Sequence, residues 1–523
     1  MKIKMMAGAL LAALGLFASC SKTGKDVQDP NQEGSTYVGI TLSMGTNDLR
    51  ADEDDKFHKI GSWNGQDDIQ TIDVYVVDVA SNVVSTGFYN KNNFTITQTG
   101  GAPSITIVPK TAIRTTPGAK RVYALVNASA EVTQALANAD AAVFENVYNN
   151  VAQGFAITDL AKNIGGKDVI MASNAKACAL TVDDGVTEAE ALNAATPRNR
   201  AKVEMKRLVA RVVVTTSQAE YEVLYSDGVK KMGKVKNISY AGAQGEKTFY
   251  IGQKVVGTQI TTPAFAYKPA NIADIWGVDG KNFYDYSDLK TYSFNNPREA
   301  KVLVPPLTVE KIGAESLVKS LFMYEASHKY QSNSANTDVN TYDGDFRRGN
   351  TPYVLVRALF VPDAAAFADG TGGAYTEGTT FYLGANNKFY SDKANVTNPA
   401  KGGVTGQKFR TYVNGKVLYY AFVNPDRAPG TLDAPVFRNN IYHINIKGFK
   451  TIGTNWNPLY PEDPDNPNPG GPDNPDPRPN DDPTDNPNPF NPQDPNTPKE
   501  TWMSVEMSVL AWTVHSYDIE LSL

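Results

Sequence analysis

The chain has 523 residues, too many for one compact core, and its 41% hydrophobic and 20% charged content is that of an ordinary folded protein, so two domains with accessory segments are expected. A formal net charge of −6 excludes a nucleic-acid surface, which needs a concentrated basic face, and is too small for a disordered acidic chain. Abundant Tyr (26), Phe (21), Gly (41) and Pro (31) favour strands and turns over helical bundles.

Lys2 and Lys4 precede an apolar stretch over 5–17, the layout of an export signal and too short for a spanning helix. It ends in Leu16-Phe17-Ala18-Ser19-Cys20, which is similar to a lipobox although Phe17 stands where leucine is usual. Cys20 is the expected lipid acceptor, holding the precursor at a membrane without a transmembrane helix. The only other cysteine, Cys178, sits between two alanines and reads as a small buried hydrophobe.

A polar tether over 21–36 leads to a clean alternation in which Val38, Ile40, Leu42 and Met44 share one face of a half-buried strand. The next segment, 45–55, is polar, acidic and aperiodic, and reads as a solvated loop open to proteolysis. Its one basic residue is Arg50, followed by Ala51.

The body repeats strand, turn, strand, with β-rich runs at 69–79, 105–109, 121–127, 302–305, 353–361, 417–422 and 441–446. Helical interludes are predicted over 129–143, with Ser129 as N-cap, and over 186–195. An Arg/Lys-rich stretch over 198–211 leads into the apolar run 208–214, and a domain boundary falls near here. All-β units of this size imply two-layer sandwiches.

No catalytic constellation emerges, so the chain is not expected to be an enzyme. The histidines (His58, His328, His443, His515) are scattered. Gly370-Thr371-Gly372-Gly373 lacks the Lys-Ser/Thr of a phosphate loop, and Asp343-Gly344-Asp345 lacks the rest of a cation ligand set. No cofactor or metal is expected.

Residues 458–498 hold 15 prolines among many Asp and Asn, an extended acidic spacer with a reach of roughly 130 Å at about 3.1 Å per residue. Beyond the spacer lies a strand without a domain. Met503, Val505, Met507 and Val509 share one face, then the apolar phase shifts to Leu510, Trp512 and Val514, and again to Tyr517, Ile519, Leu521 and Leu523. Each shift predicts a bulge or a break. Such a segment must pair with a sheet. Its alternation matches that of 38–44, so the two segments could occupy the same groove. If cutting after Arg50 releases the first, the tail of another copy can replace it, and contacts of this head-to-tail kind build filaments.

The lipobox, the Arg50-Ala51 junction, the motifs RGNTPYVLVR at 348–357 and VFRNNIYHI at 436–444, and the terminal strand from MSVE to VHSY resemble the fimbrillins of type V pili. The likeness is nearest to the major subunits of the minor (short) fimbriae of Gram-negative anaerobes. It implies two transthyretin-like β-sandwich domains and a surface fimbria that supports adhesion. It further implies an arginine-specific surface protease, further copies of the chain as polymer neighbours, tip and anchor subunits as partners, and an outer-membrane lipoprotein precursor. The expected layout is a signal peptide (1–19), a propeptide with a removable strand (20–50), sandwiches over 51–205 and 206–457, a linker (458–500) and a donor segment (501–523). The rival reading is a glycan-binding surface lipoprotein of a nutrient-uptake system, also β-rich and aromatic-rich.

Overall fold

The computed structural model describes residues 34–44, 58–59, 68–81, 83–97, 105–149, 151–152, 160–164, 167–174, 176–243, 249–256, 259–262, 300–301, 321–330, 343–347, 350–424, 433–453, 503–511, 515–516 and 519–520. The strands predicted at 69–79, 105–109, 121–127, 353–361, 417–422 and 441–446 are all present within a few residues. The run at 302–305 lies outside the described residues.

The N-terminal sandwich is built from β1 (Thr36–Met44), β2 (Thr71–Asp78), β3 (Val84–Asn90), β4 (Phe94–Thr97), β5 (Ile105–Pro109), β6 (Ile113–Thr115) and β7 (Gly118–Val126). After β7 come helices α1 (Ala130–Ala137) and α2 (Ala141–Asn149), then β8 (Val151–Ala152), β9 (Ala172–Asn174), β10 (Cys178–Val182), helix α3 (Glu188–Leu192) and β11 (Arg200–Arg207). The sheet runs β3–β2–β7–β9–β11–β1–β5–β4, with β10 on β7 and β6 on β1. Ser85 of β3 donates to the Thr115 hydroxyl of β6 at 2.9 Å in the interior, so side chains from the two sides of the sheet's path meet there. The strands' inward residues then face one another across a single apolar core.

The helix predicted over 129–143 is two short helices. Ser129 caps α1 as expected, its Oγ accepting from Val132 N–H at 3.4 Å, but Asp140 Oδ1 accepts from Val143 N–H at 3.1 Å and starts a new helix. The Asn138 N–H still closes α1 on the Gln134 carbonyl at 3.1 Å, but Asp140 competes for backbone groups as a new cap, and that breaks the run. The second interlude is only α3, opened by a capping box between Thr187 and Glu190.

Only Leu208 separates β11 from β12 (Val209–Thr216), the first strand of the C-terminal sandwich. This sandwich continues with β13 (Glu220–Leu224), β14 (Lys231–Ala243), β15 (Phe249–Tyr250), β16 (Leu321–Tyr324) and β17 (Tyr353–Pro362). It ends with β18 (Phe381–Gly384), β19 (Phe389–Tyr390), β20 (Phe409–Tyr412), β21 (Lys416–Phe422), β22 (Asn440–Phe449) and the tail strand β23 (Met503–Ala511). One sheet runs β16–β12–β22–β23 and the other β13–β14–β17–β21, while β19–β18–β20 form a small lobe. Val212, Val214, Ile444 and Ile446 of the first sheet pack against Val354, Val356 and Phe360 of the second.

The two sandwiches share a third apolar core, in which Tyr75 and Tyr123 meet Val209, Val213, Phe249, Tyr324 and Ile441, with Leu136, Phe144 and Tyr148 of the helices between them. Strand β15 pairs with β8 across this junction. A buried ion pair joins Arg211 of β12 to Asp168. Arg438 holds Glu325 at 3.1 Å and donates to the carbonyls of Ile251 (3.1 Å) and Tyr250 (2.8 Å). Both of these side chains are within 2% of full burial. Removing one partner of such a pair leaves an uncompensated charge, so Glu325→Ala should lower unfolding free energy by about 3–5 kcal/mol, read from urea denaturation of the purified chain.

Candidate functional site

The most heavily constrained element at an end of the chain is β1. Its second half pairs with β5 (Leu42 opposite Ile107, Met44 opposite Ile105), and its first half with β6 (Val38 opposite Ile113). Along its other edge it runs parallel to β11, from Gly39 opposite Arg200 to Met44 opposite Met205. A strand flanked on both sides has no free ladder groups to satisfy by water. Val38, Ile40, Leu42 and Met44 are 0%, 1%, 0% and 4% exposed, all within the N-terminal core. At roughly 1.5–3 kcal/mol per side chain, their burial contributes about 6–12 kcal/mol gross. The face expected from the alternation is the face that is buried.

A strap formed by residues 183–199 crosses the outer side of β1. The Thr36 hydroxyl, wholly buried, donates to the Asp183 carbonyl at 2.6 Å and accepts from Val186 N–H at 3.1 Å and Asn199 Nδ2 at 3.0 Å. Tyr37 N–H donates to the Val186 carbonyl at 3.1 Å and Gly39 N–H to the Asn199 carbonyl at 3.0 Å. Arg200 grips the strap through the Ala191 carbonyl (2.7 Å from Nη2) and β1 through Thr41 Oγ1 (3.1 Å from Nη1). Asn199 sits at φ 48, the left-handed region that asparagine tolerates, so the chain can turn from the strap into β11. Ala112, Val186 and Ala191 close a small apolar cluster there, with Tyr37 and Leu192 against it.

At the other end, β23 pairs antiparallel with β22 of the same chain, from Met503 opposite Phe449 to Ala511 opposite Asn440. The backbone positions of Met503, Val505, Met507, Val509 and Leu510 therefore lie in one ladder. The strand runs unbroken through the phase shift at Val509 and Leu510, and the ladder's irregularity falls in β22, between Ile446 and Gly448. Ile519 pairs with Met507. Cys20, Arg50, Ala51, Trp512, Val514, Tyr517 and Leu521 lie outside the described residues.

Two elements of the groove escape a reading from sequence. Strand β11 reads only as a charged stretch, although Ala201, Val203 and Met205 alternate inward while Lys202 and Glu204 point out. That period of two is the available signal. The role of Thr36 has no local signal, because its partners are 147 to 163 residues away. Elsewhere the bland readings stand. Cys178 is half-buried, its thiol 3.3 Å from the Lys202 carbonyl and its pKa pushed up by burial. His328 is buried against the Asn350 carbonyl at 3.0 Å, and burial lowers its pKa to about 4. Among the described residues no His/Cys/Asp/Glu cluster could hold a metal ion, and no helix is long and apolar enough to cross a membrane.

The minor fimbrium subunit Mfa1 of Porphyromonas gingivalis is 34% identical over 543 residues, covering 99% of this chain and 100% of that protein. The chain belongs to the fimbrillin family. The C-terminal model of that family, described as major fimbrial subunit protein type IV, matches residues 410–518, which contain β22 and β23. A solved fimbrillin (fimA) of P. gingivalis W83 covers 92% of this chain and 98% of its own at 11% identity, with a TM-score of 0.39. The tip fimbrial protein Mfa3 of P. gingivalis covers 79% and 95% at 10% identity, with a TM-score of 0.33. This fimbrillin is thus a structural subunit of a cell-surface fimbria and not an enzyme, with an all-β sandwich fold. Other fimbrial subunits are its partners.

Shortening a side chain of β1 tests how much the groove depends on it. Leu42→Ala in the unprocessed fimbrillin should cost about 2–5 kcal/mol, measured by chemical denaturation and by faster amide exchange along β5 and β11.

Proposed function

We propose that this fimbrillin is a shaft subunit that polymerises by exchanging β1 for the tail strand of another copy, in a fimbria that serves adhesion. The observation that carries the reading is the seating of β1. It fills a slot between β11 on one side and β5 and β6 on the other, with four side chains in the core. Its last residue is Met44, and Arg50 follows six residues later. Cutting there leaves β1 held only by non-covalent contacts. An emptied slot exposes ladder groups and apolar core together, and only another strand repairs both.

The remaining roles rest on the sequence. Residues 1–19 are an export signal and Cys20 takes the lipid that holds the precursor at the outer membrane. An arginine-specific surface protease cuts after Arg50, so that the mature subunit begins at Ala51. The spacer over 458–500 gives the segment 501–523 the reach to leave its own subunit. Strand β23 lies on β22 in the free subunit, so both ends of the unprocessed chain are satisfied within it. Tip and anchor subunits complete the fibre.

Amino-terminal sequencing of isolated fibres should begin at Ala51, and Arg50→Ala should leave the subunit monomeric with β1 in place. A chain ending at Pro498 should fold yet form no fibres. Fibres whose subunits still carry a lipidated Cys20, or fibres assembled by the truncated chain, would overturn the proposal.

A further inference from the structure

Position 39 is a point of unusually close approach. A Cβ built on Gly39 would collide with the Ala191 carbonyl oxygen of the strap and come within 3.2 Å of Arg200 Nη2. The slot is therefore gauged twice. On the inner side it asks for apolar residues at every second place, and on the outer side it asks for a small residue under the strap. Three residues earlier, the strap asks for a hydroxyl, because Asp183, Val186 and Asn199 all spend a hydrogen-bonding group on Thr36.

The leading strand, Thr36–Met44, reads TYVGITLSM, and residues 501–509 read TWMSVEMSV. Laid in the same direction, the tail repeats a threonine, an aromatic residue, an apolar residue and a small residue in order. It then continues the inner face with Val505, Met507 and Val509. Other registers of the same phase fail. Sliding the tail by two residues puts Trp502 or Glu506 under the strap. Sliding it by four brings Ser508 there but places Ala511 and Thr513 where Leu42 and Met44 fill the core. In the matching register Glu506 takes the place of Thr41, whose hydroxyl lies 3.1 Å from the Arg200 guanidinium, so a neutral acceptor becomes a charged one.

We propose that the strap over 183–199 is a register gauge that recognises Thr501 and Ser504 of the tail of another copy. This rests on the strand-exchange reading and adds which tail residues the acceptor selects. Thr501 takes over the three partners of Thr36. Ser504, the smallest residue with a Cβ other than alanine at this position, requires the strap to move off the place Ala191 holds over Gly39, and a larger residue is refused. Serine in place of glycine also means that the strap sits farther out over a donor than over β1.

The test compares full-length chains treated with an arginine-specific protease, each first shown to be monomeric and folded by circular dichroism. Polymer is read as detergent-resistant ladders and by electron microscopy. Ser504→Leu should abolish the ladder, whereas Ser508→Leu, the same change on the same face but beyond the strap, should leave it as in the parent. Thr501→Val should still polymerise, with joints that open roughly tenfold faster or more, because three buried groups lose their hydroxyl. Ladders from Ser504→Leu equal to those from Ser508→Leu, failure of both alike, or joints unaltered by Thr501→Val would each overturn the gauge. Val505→Asp separates the two levels. It places a charge on the inner face and must block any exchange of this strand, so a ladder from it would sink the exchange itself, while its failure beside a normal Ser504→Leu ladder sinks only the gauge.

Discussion

The structure turns on one ladder, the parallel pairing of β1 with β11 from Gly39 to Met44. Parallel neighbours need a long crossover, and here nearly the whole N-terminal sandwich lies between the two strands. The first strand is therefore inserted beside the last, and the sheet is continuous only when it is in place. Removing an edge strand would trim such a sheet. Removing β1 opens it in the middle, stripping partners from β11, β5 and β6 and uncovering the core that Val38, Ile40, Leu42 and Met44 fill. An opening of that kind is specific in shape, and its remedy must have the same periodicity.

The C-terminal sandwich likewise pairs its first strand, β12, parallel with its last long body strand, β22. The difference lies in how each first strand is attached. Strand β12 continues from β11 through the single buried residue Leu208 and carries Arg211, paired with Asp168 of the other sandwich. It cannot leave without breaking the junction. Strand β1 has no such commitment. The shared core and the Arg211–Asp168 pair tie the two sandwiches together, so on the proposed exchange the loss of β1 would be a local event. A subunit assembled by the proposed exchange would need this separation between one replaceable strand and a body that stays intact.

The alternation in 38–44 is legible because a strand with one buried face writes its period into the chain. Strand β11 is harder, since Lys202, Glu204 and Lys206 on its outer face make it look like a charged stretch and hide Ala201, Val203 and Met205 beneath. The helix over 129–143 is legible in kind but not in extent, because Asp140 can cap as well as continue a helix and only tertiary packing of Phe144 and Tyr148 decides. The strap and the buried ion pairs are not legible at all. Thr36 and Asn199, Asp168 and Arg211, and Glu325 and Arg438 are brought together by topology, and no local pattern announces a partner 43 to 163 residues away.

On the proposed strand exchange, the direction of assembly would follow from where the two end strands rest. Before cleavage, β1 competes for its slot as part of the same chain, and a tail from another copy must overcome that high effective concentration. Strand β23 meanwhile rests on β22, so its own backbone is already paired. Neither end has reason to move. The proposed cleavage would change one quantity alone: β1 would become a separate peptide that dilutes away once it dissociates. The slot then offers a strand two flanking ladders, an enclosed apolar face and the hydrogen bonds of the strap. On that proposal, hydrolysis of one peptide bond would convert an internal contact into an intermolecular one, and the fibre would record that the cut was made.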